Sequence, residues 1–541
     1  MTPARRFWIA ALVVTAVGAV LRFKGIHDPI FDHSSWRQGD TAAIARNFAQ
    51  LQYNPFFPQT DYNGPPPNYV ELELQIVPFL AATLYKVFGV HEVFGRLISL
   101  AFGIATIPVI AAFGRWLFRS ETAGIAAAAA FAVMPGAWYY SHTFMPDTTM
   151  VFFTTCALYA CARFVLRQAQ DDTASDAARS WRGWVPAALL LMGAFLAKPV
   201  AVTAAIPVAA CAVTTLGWRG ALTRPPLWAL AAVAFVPLAV YDHIVSSHAE
   251  WHWASGITKL HVIPSLAAAL TSPHAFLVKA VAFAGALRML ATTMLGPVGF
   301  VLALIGFCVP LRSRSDALLW SWLGGGLLYA YVVVTVERVD YYLYLLLPLG
   351  ALVIGRLCAF ALERWGAERE RRATLAGIAA VVWIAALVLG YREIAPYYRW
   401  SRVNYVRARQ LGATLAPGTL IVMGHYDPSI LYTIGRKGWE EDPHVWTPFD
   451  EQSAIRKGAR YFVSIEHARL KQTNLELYCW LARFPVLDPA AAWPVYQTDP
   501  AKVLPGAEER WRAFRRREMS GAFANWRREW KSVPDPCPPQ S

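Results

Sequence analysis

The stretch FWIAALVVTAVGAVLRF (residues 7–23) is followed almost at once by DHSSWRQGDTAAIARNF (residues 32–48). The first is an apolar run close to the ~17–25 residues that cross a bilayer as a helix, led by Arg5 and Arg6. The second packs two aspartates, a histidine, two arginines and a tryptophan into seventeen residues. A membrane anchor that opens directly into so polar a segment decides the class of the chain. It also raises the question of what the charges do there.

Working outward, the same apolar character recurs. Of 541 residues 56% are hydrophobic and 16% charged, against about 25% charged in soluble domains. Further apolar runs fall near 72–88, 93–115, 121–140, 146–166, 184–198, 199–216, 226–245, 275–294, 296–311, 317–336, 341–360 and 373–390. The chain is therefore expected to be a polytopic α-helical membrane protein. The net charge of +14 comes from arginines spread over short loops, with no basic block or RNA-binding motif; it fits the positive-inside rule and argues against a nucleic-acid partner. No small-x-small cleavage site follows the first run, so it is expected to remain as the first span.

Arginine placement sets the topology. With Arg5 and Arg6 in the cytoplasm, the first loop (residues 24–92) faces out. If 72–88 lies on the outer interface, the loop with Arg115 and Arg119 becomes cytoplasmic. Arg167, Arg179 and Arg182, Arg219 and Arg224, and Arg364 through Arg372 then follow it inside. Arg312 and Arg314 do so if 275–294 is interfacial or re-entrant. This gives about eleven spans, or twelve to thirteen if the interfacial runs also cross.

Two domains are expected: a membrane domain over 1–390 and a small extracytoplasmic α/β domain over 391–541. In the latter, strand-like runs at Leu420–Met423 and Tyr461–Ile465 alternate with helical segments, and GHYD (424–427) follows the first strand. The seven cysteines show no metal-ligand spacing. Cys479 and Cys537, both in this polar region, can pair if it lies outside the cytoplasm.

Ionisable residues collect on the expected outer side. Asp61, Glu71 and Glu73 flank a triple proline in FFPQTDYNGPPPNYVELELQ (56–75). His142 and Asp147 lie in SHTFMPD, Lys198 lies in AKP, and Glu337, Arg338, Asp340, Tyr341 and Tyr342 lie in VERVDYYLYLLLP. Each has an ordinary reading: Asp147 after Pro146 complements a helix dipole, Lys198 and Arg338 can snorkel, and the tyrosine pair suits an interfacial belt. Together they point to a polar outer cavity, because ionisable groups at membrane depth are costly unless they pair or function. A carboxylate there can take a proton from an acceptor, and cations can hold a departing phosphate. With no Walker-type loop, a membrane-dissolved donor fits better than a nucleotide, and no nucleotide cofactor is expected.

The order of these motifs, namely WRQGDTAAIARNF, GPPPNYVELEL, LYKVFGVHEVFGRLISLAFG, MPD and AKP, resembles the glycosyltransferase-C superfamily. Within it the nearest groups are the family 39 protein mannosyltransferases and the lipid A aminoarabinose transferases. The resemblance covers roughly residues 1–390 and is strongest before residue 200. It implies transfer of a hexose or pentose from a polyprenyl-phosphate donor to a cell-envelope lipid, glycan (lipopolysaccharide included) or protein acceptor. The setting it implies is the periplasmic face of a bacterial inner membrane, with the N-terminus cytoplasmic and the C-terminal domain periplasmic.

By position it makes Asp40 the catalytic base, Glu73 or Glu71 the acid beside the prolines, and Asp147 part of the active network. Arg37, Lys198 or Arg338 would bind the donor phosphate, since no lysine stands beside Pro65–Pro67. Asp61, Glu71, His142, Tyr341 and Tyr342 are accessory or acceptor-side candidates. Relatives often carry an Asp-Glu pair where this chain has Asp40-Thr41, which bears on whether Asp40 helps hold a divalent cation such as Mg or Mn. The alternative is a transporter or flippase of lipid-linked glycans, which predicts charges along a path through the bilayer and internal repeats; neither is visible here.

Overall fold

The computed structural model describes residues 2–168, 183–310, 313–487, 493–519 and 537; Arg179, Arg182 and Arg312 lie outside the described residues. The chain forms two compact units. The first comprises Met1–Asp28, Phe48–Pro58 and Val70–Arg399; the second comprises Pro29–Asn47, Gln59–Tyr69 and Trp400–Ser541. Two pieces of the first loop, which the sequence reading kept wholly with the membrane domain, thus belong to the same unit as the C-terminal residues.

The first unit is helical, as a lipid environment requires, because only a helix satisfies its own backbone groups without water. Among the described residues nine helices are long and apolar enough to cross a membrane, from Pro3–Arg22 to the apolar part of Arg369–Thr414. Ile76–Phe88 has 13 residues, a rise of about 20 Å, and is too short to span the ~30 Å hydrocarbon core, in keeping with the interfacial expectation. Pro273–Met294, for which an interfacial or re-entrant placement is the condition that puts Arg312 and Arg314 inside, is long enough to cross.

Small residues bring the helices close. A Cβ at Gly355 would lie 2.2 Å from the Ala123 carbonyl oxygen, and one at Gly306 would lie 2.2 Å from that of Val353. Arg22, fully buried at the end of the first helix, donates to the carbonyls of Ala132 (2.8 Å) and Phe131 (3.1 Å) and to Ser141 Oγ (3.1 Å). It caps the C-terminal turn of Glu121–Val133, whose last carbonyls have no helical partner.

The second unit is built on a four-stranded sheet ordered Lys437–Glu440, Leu420–Met423, Ala459–Val463, Val495–Tyr496. The first three strands are parallel and the last is antiparallel. Leu420–Met423 and Ala459–Val463 place Val422 and Phe462 in the core with Leu477, Tyr478, Trp480 and Tyr496. Cys479 and Cys537 form a disulfide. Lys437–Glu440 is an edge strand, and loop 59–69 covers it: Gly64 N donates to Gly438 O (2.7 Å) and Gly438 N to Asp61 O (3.0 Å). Such cover removes an unpaired edge.

The helix Ser35–Gln50 packs against the start of helix Pro428–Ile434 through Gly39. A Cβ there would sit 2.5 Å from Ser429 N and 2.7 Å from Ser429 Cα. Backbone atoms cannot rotate away, so Gly39→Ala is expected to destabilise this unit by about 1–3 kcal/mol, the range for overpacking. Faster limited proteolysis within residues 400–519 of the membrane-embedded protein checks this; an unchanged rate contradicts it.

Candidate active site

The second unit holds an acid centre. Asp40 is 2% exposed on the helix Ser35–Gln50, and its Oδ1 accepts a hydrogen bond from Tyr62 Oη at 2.7 Å. Burial raises its pKa to about 7; Arg37, one turn earlier, and the Tyr62 hydrogen bond act the other way, while Asp427 and Asp61 add to the rise. The Tyr62 phenol is itself pushed well above its ordinary value by burial and by the Asp40 carboxylate it bonds. A carboxyl whose proton affinity matches neutral pH suits general-base work.

Asp61 does something else. Burial pushes its pKa up, but Arg46 and Lys437 override this and hold it below the ordinary value. Its carboxylate pairs with Arg46, accepts from Lys437 Nζ at 2.9 Å and from Asn47 Nδ2 at 3.1 Å. It fastens the loop to both the helix and the edge strand and so places Tyr62 against Asp40. GHYD serves the same centre: Tyr426 stacks on Trp36 (centroids 6.4 Å), and Asp427 accepts from Ser35 Oγ (2.7 Å) and Ser429 N (2.9 Å).

The first unit holds a cation centre. Asp147 begins the helix Asp147–Gln168, and Lys198 caps the C-terminus of Trp184–Ala197 in an extended conformation ahead of Pro199, as a residue before proline favours. Lys198 Nζ lies 2.7 Å from Asp147 Oδ1, and both side chains are buried. The same ammonium sits over the rings of Tyr341 (4.9 Å) and Tyr342 (4.8 Å), an attractive placement for a cation. Asp340 fixes the turn bearing those tyrosines by accepting from Tyr140 Oη, Tyr397 Oη (2.6 Å) and Thr293 Oγ1 (3.0 Å).

Arg338 ends the short helix Thr335–Glu337 and lines an otherwise apolar cavity of about 500 Å³ with Leu277, Val281, Met289 and Val334. Buried Lys279, which the sequence reading passed over, donates to Thr335 Oγ1 (2.8 Å) and Ser265 Oγ (3.1 Å) near the same helix.

Glu71 Oε2 accepts from Ser255 Oγ (2.7 Å) and pairs with His252 (3.2 Å). Glu73 is buried in the first unit, where its carbonyl accepts from Tyr241 Oη (3.1 Å). His142 is fully buried, stacked on Tyr398 at 5.2 Å. Among the described residues no group of three or more His, Cys, Asp or Glu is arranged to hold a metal ion. Tyr62, Lys437 and Glu440 were missed, and the local sequence holds no signal for them, because their roles come from long-range pairing.

The fold is shared with solved membrane proteins of the glycosyltransferase-C type. Residues 75–241 match the family model described as dolichyl-phosphate-mannose-protein mannosyltransferase, a stretch that includes Asp147 and Lys198 but not Asp40. The structure is similar to ArnT from Cupriavidus metallidurans, solved bound to undecaprenyl phosphate: TM-score 0.57, 14% identity, covering 92% of this chain and 99% of that one. It is similar to the oligosaccharyltransferase AglB from Archaeoglobus fulgidus, solved with an inhibitory peptide and a dolichol-phosphate: TM-score 0.56, 13% identity, covering 93% and 76%. No curated protein matches the sequence itself. These likenesses bear out the resemblance drawn from the motifs.

Proposed function

We propose that the protein moves a sugar from a polyprenyl-phosphate carrier to an envelope acceptor on the periplasmic face of a bacterial inner membrane. The observation that carries this reading is Asp40: a buried carboxyl, oriented by Tyr62, whose proton affinity lies near neutrality. Asp40 takes the proton of an acceptor hydroxyl. The acceptor oxygen bonds to the sugar's anomeric carbon as the bond from that carbon to the phosphate oxygen breaks, inverting the centre. Within the first unit, Lys198 and Arg338 carry the charge that complements a lipid phosphate. The Arg338 cavity, apolar apart from its guanidinium, suits an isoprenoid chain next to a phosphate. Arginine placement supports a cytoplasmic N-terminus.

Purified protein in vesicles, given undecaprenyl-phosphate carrying a labelled sugar and an envelope fraction, tests the proposal. Label should leave the carrier and appear in envelope material. Label that crosses the bilayer still attached to its carrier is the flippase result and overturns the enzyme reading.

A further inference from the structure

Glu440 ends the edge strand and is 3% exposed, and neither of its carboxyl oxygens has a hydrogen-bond partner in the protein. An ionised carboxylate left so would carry a desolvation cost of several kcal/mol, and buried polar groups are almost always satisfied. The nearby charges make it worse: Asp40, Asp427, Asp61 and its own neighbour Glu441 all repel a charge on Glu440, which burial already disfavours. The other acids of the centre are engaged, Asp40 by Tyr62, Asp61 by Arg46 and Lys437, Asp427 by Ser35 and Ser429. Glu440 has both carboxyl oxygens unbonded by the protein, within electrostatic reach of Asp40, Asp427 and Tyr62.

We propose that Glu440 is a positioning residue of the acceptor site: a protonated carboxyl beside Asp40 that grips a hydroxyl of a carbohydrate acceptor, donating from its O–H and accepting at its C=O. This deepens, and rests on, the glycosyltransferase reading. One neutral acid next to one titrating carboxylate is the counterpart of a polyol, whose hydroxyls both donate and accept; an ammonium acceptor would call for two negative charges. The ring faces of Trp36 and Tyr426 offer the flat apolar surface against which a sugar ring packs. Asp40 then takes the proton of the attacking hydroxyl, and Glu440 keeps its own proton throughout.

Infrared difference spectra of the full-length protein, wild type against Glu440→Gln, test the protonation state without reference to turnover. A protonated-carboxyl C=O band at pH 7 that disappears in the variant is expected; a carboxylate band in its place overturns the proposal. In the vesicle assay with undecaprenyl-phosphate-linked sugar and envelope glycan, Glu440→Gln should keep at least about a tenth of the rate, since an amide also donates and accepts. Glu440→Met should lose about 100-fold or more, with the Kd for undecaprenyl phosphate unchanged. Full activity in Glu440→Met overturns the proposal, as does a Gln variant as inactive as Met or a divalent-cation requirement that vanishes with Glu440. If wild-type protein moves no sugar, the glycosyltransferase reading fails, and the infrared band still decides whether Glu440 is protonated.

Discussion

Asp40→Asn is expected to lower sugar transfer at pH 7 by about 10²–10⁴-fold, the usual contribution of a positioned general base. Asparagine keeps an oxygen to accept from Tyr62 Oη, so the loss reports chemistry rather than collapse. The wild-type rate should rise with pH and level off above about 7, where the carboxyl is ionised. The same substitution should stabilise the second unit at alkaline pH. The folded carboxyl holds its proton more tightly than the unfolded one, about 7 against 3.8. Its contribution to stability is therefore fully present below pH 3.8 and is lost as pH rises through 7. At about 1.4 kcal/mol per tenfold change in proton affinity, the deficit above pH 7 is at most about 4 kcal/mol, and Asn removes it. A variant that is inactive and more resistant to unfolding at pH 8 meets both expectations; full activity removes Asp40 from the mechanism.

The second large effect is expected at Lys198. Lys198→Met strips the counter-charge from a buried carboxylate, and breaking such a pair costs about 3–5 kcal/mol. It should also slow transfer by about 10²–10³-fold, the scale of losing one electrostatic contact to developing charge. The double variant Asp147→Asn/Lys198→Met separates these. Removing both charges should restore most of the stability, because a buried pair replaced by neutral groups is often no less stable, while activity stays low. Recovery of the rate in the double variant would show that Lys198 serves only to neutralise Asp147. Thermal unfolding in detergent, followed alongside the vesicle assay, reads both quantities.

What could be read from the sequence follows from how far apart the partners lie. The membrane helices were legible because lipid leaves a helix one pattern, a long apolar run, and residue order alone reveals it. Asp147 and Lys198 were legible as isolated motifs at helix ends, and the structure joins them in a direct ion pair. The strand Leu420–Met423 announced itself by four apolar residues in a row. Lys437–Glu440 did not: KGWE is short, half polar, and carries a glycine. That glycine is required by the neighbouring strand, since a Cβ at Gly438 would lie 1.9 Å from Ile421 O. Nothing local in DYNG indicates that Tyr62 will bond Asp40, or that Asp61 will bind a lysine far along the chain. Such choices belong to tertiary pairing, which periodicity cannot report.

The cover that loop 59–69 provides for the strand Lys437–Glu440 also has a consequence for how the protein is made. The strand leaves the ribosome roughly 370 residues after the loop, which at about 5–20 residues per second is a wait of about 20–70 s. Through that interval loop 59–69 has no edge to dock on, and the base is assembled only after residue 440 has been made. Translation that halts before residue 437 therefore yields a chain able to insert its helices but lacking Lys437 and Glu440, so a truncated copy cannot run half of the reaction on its own.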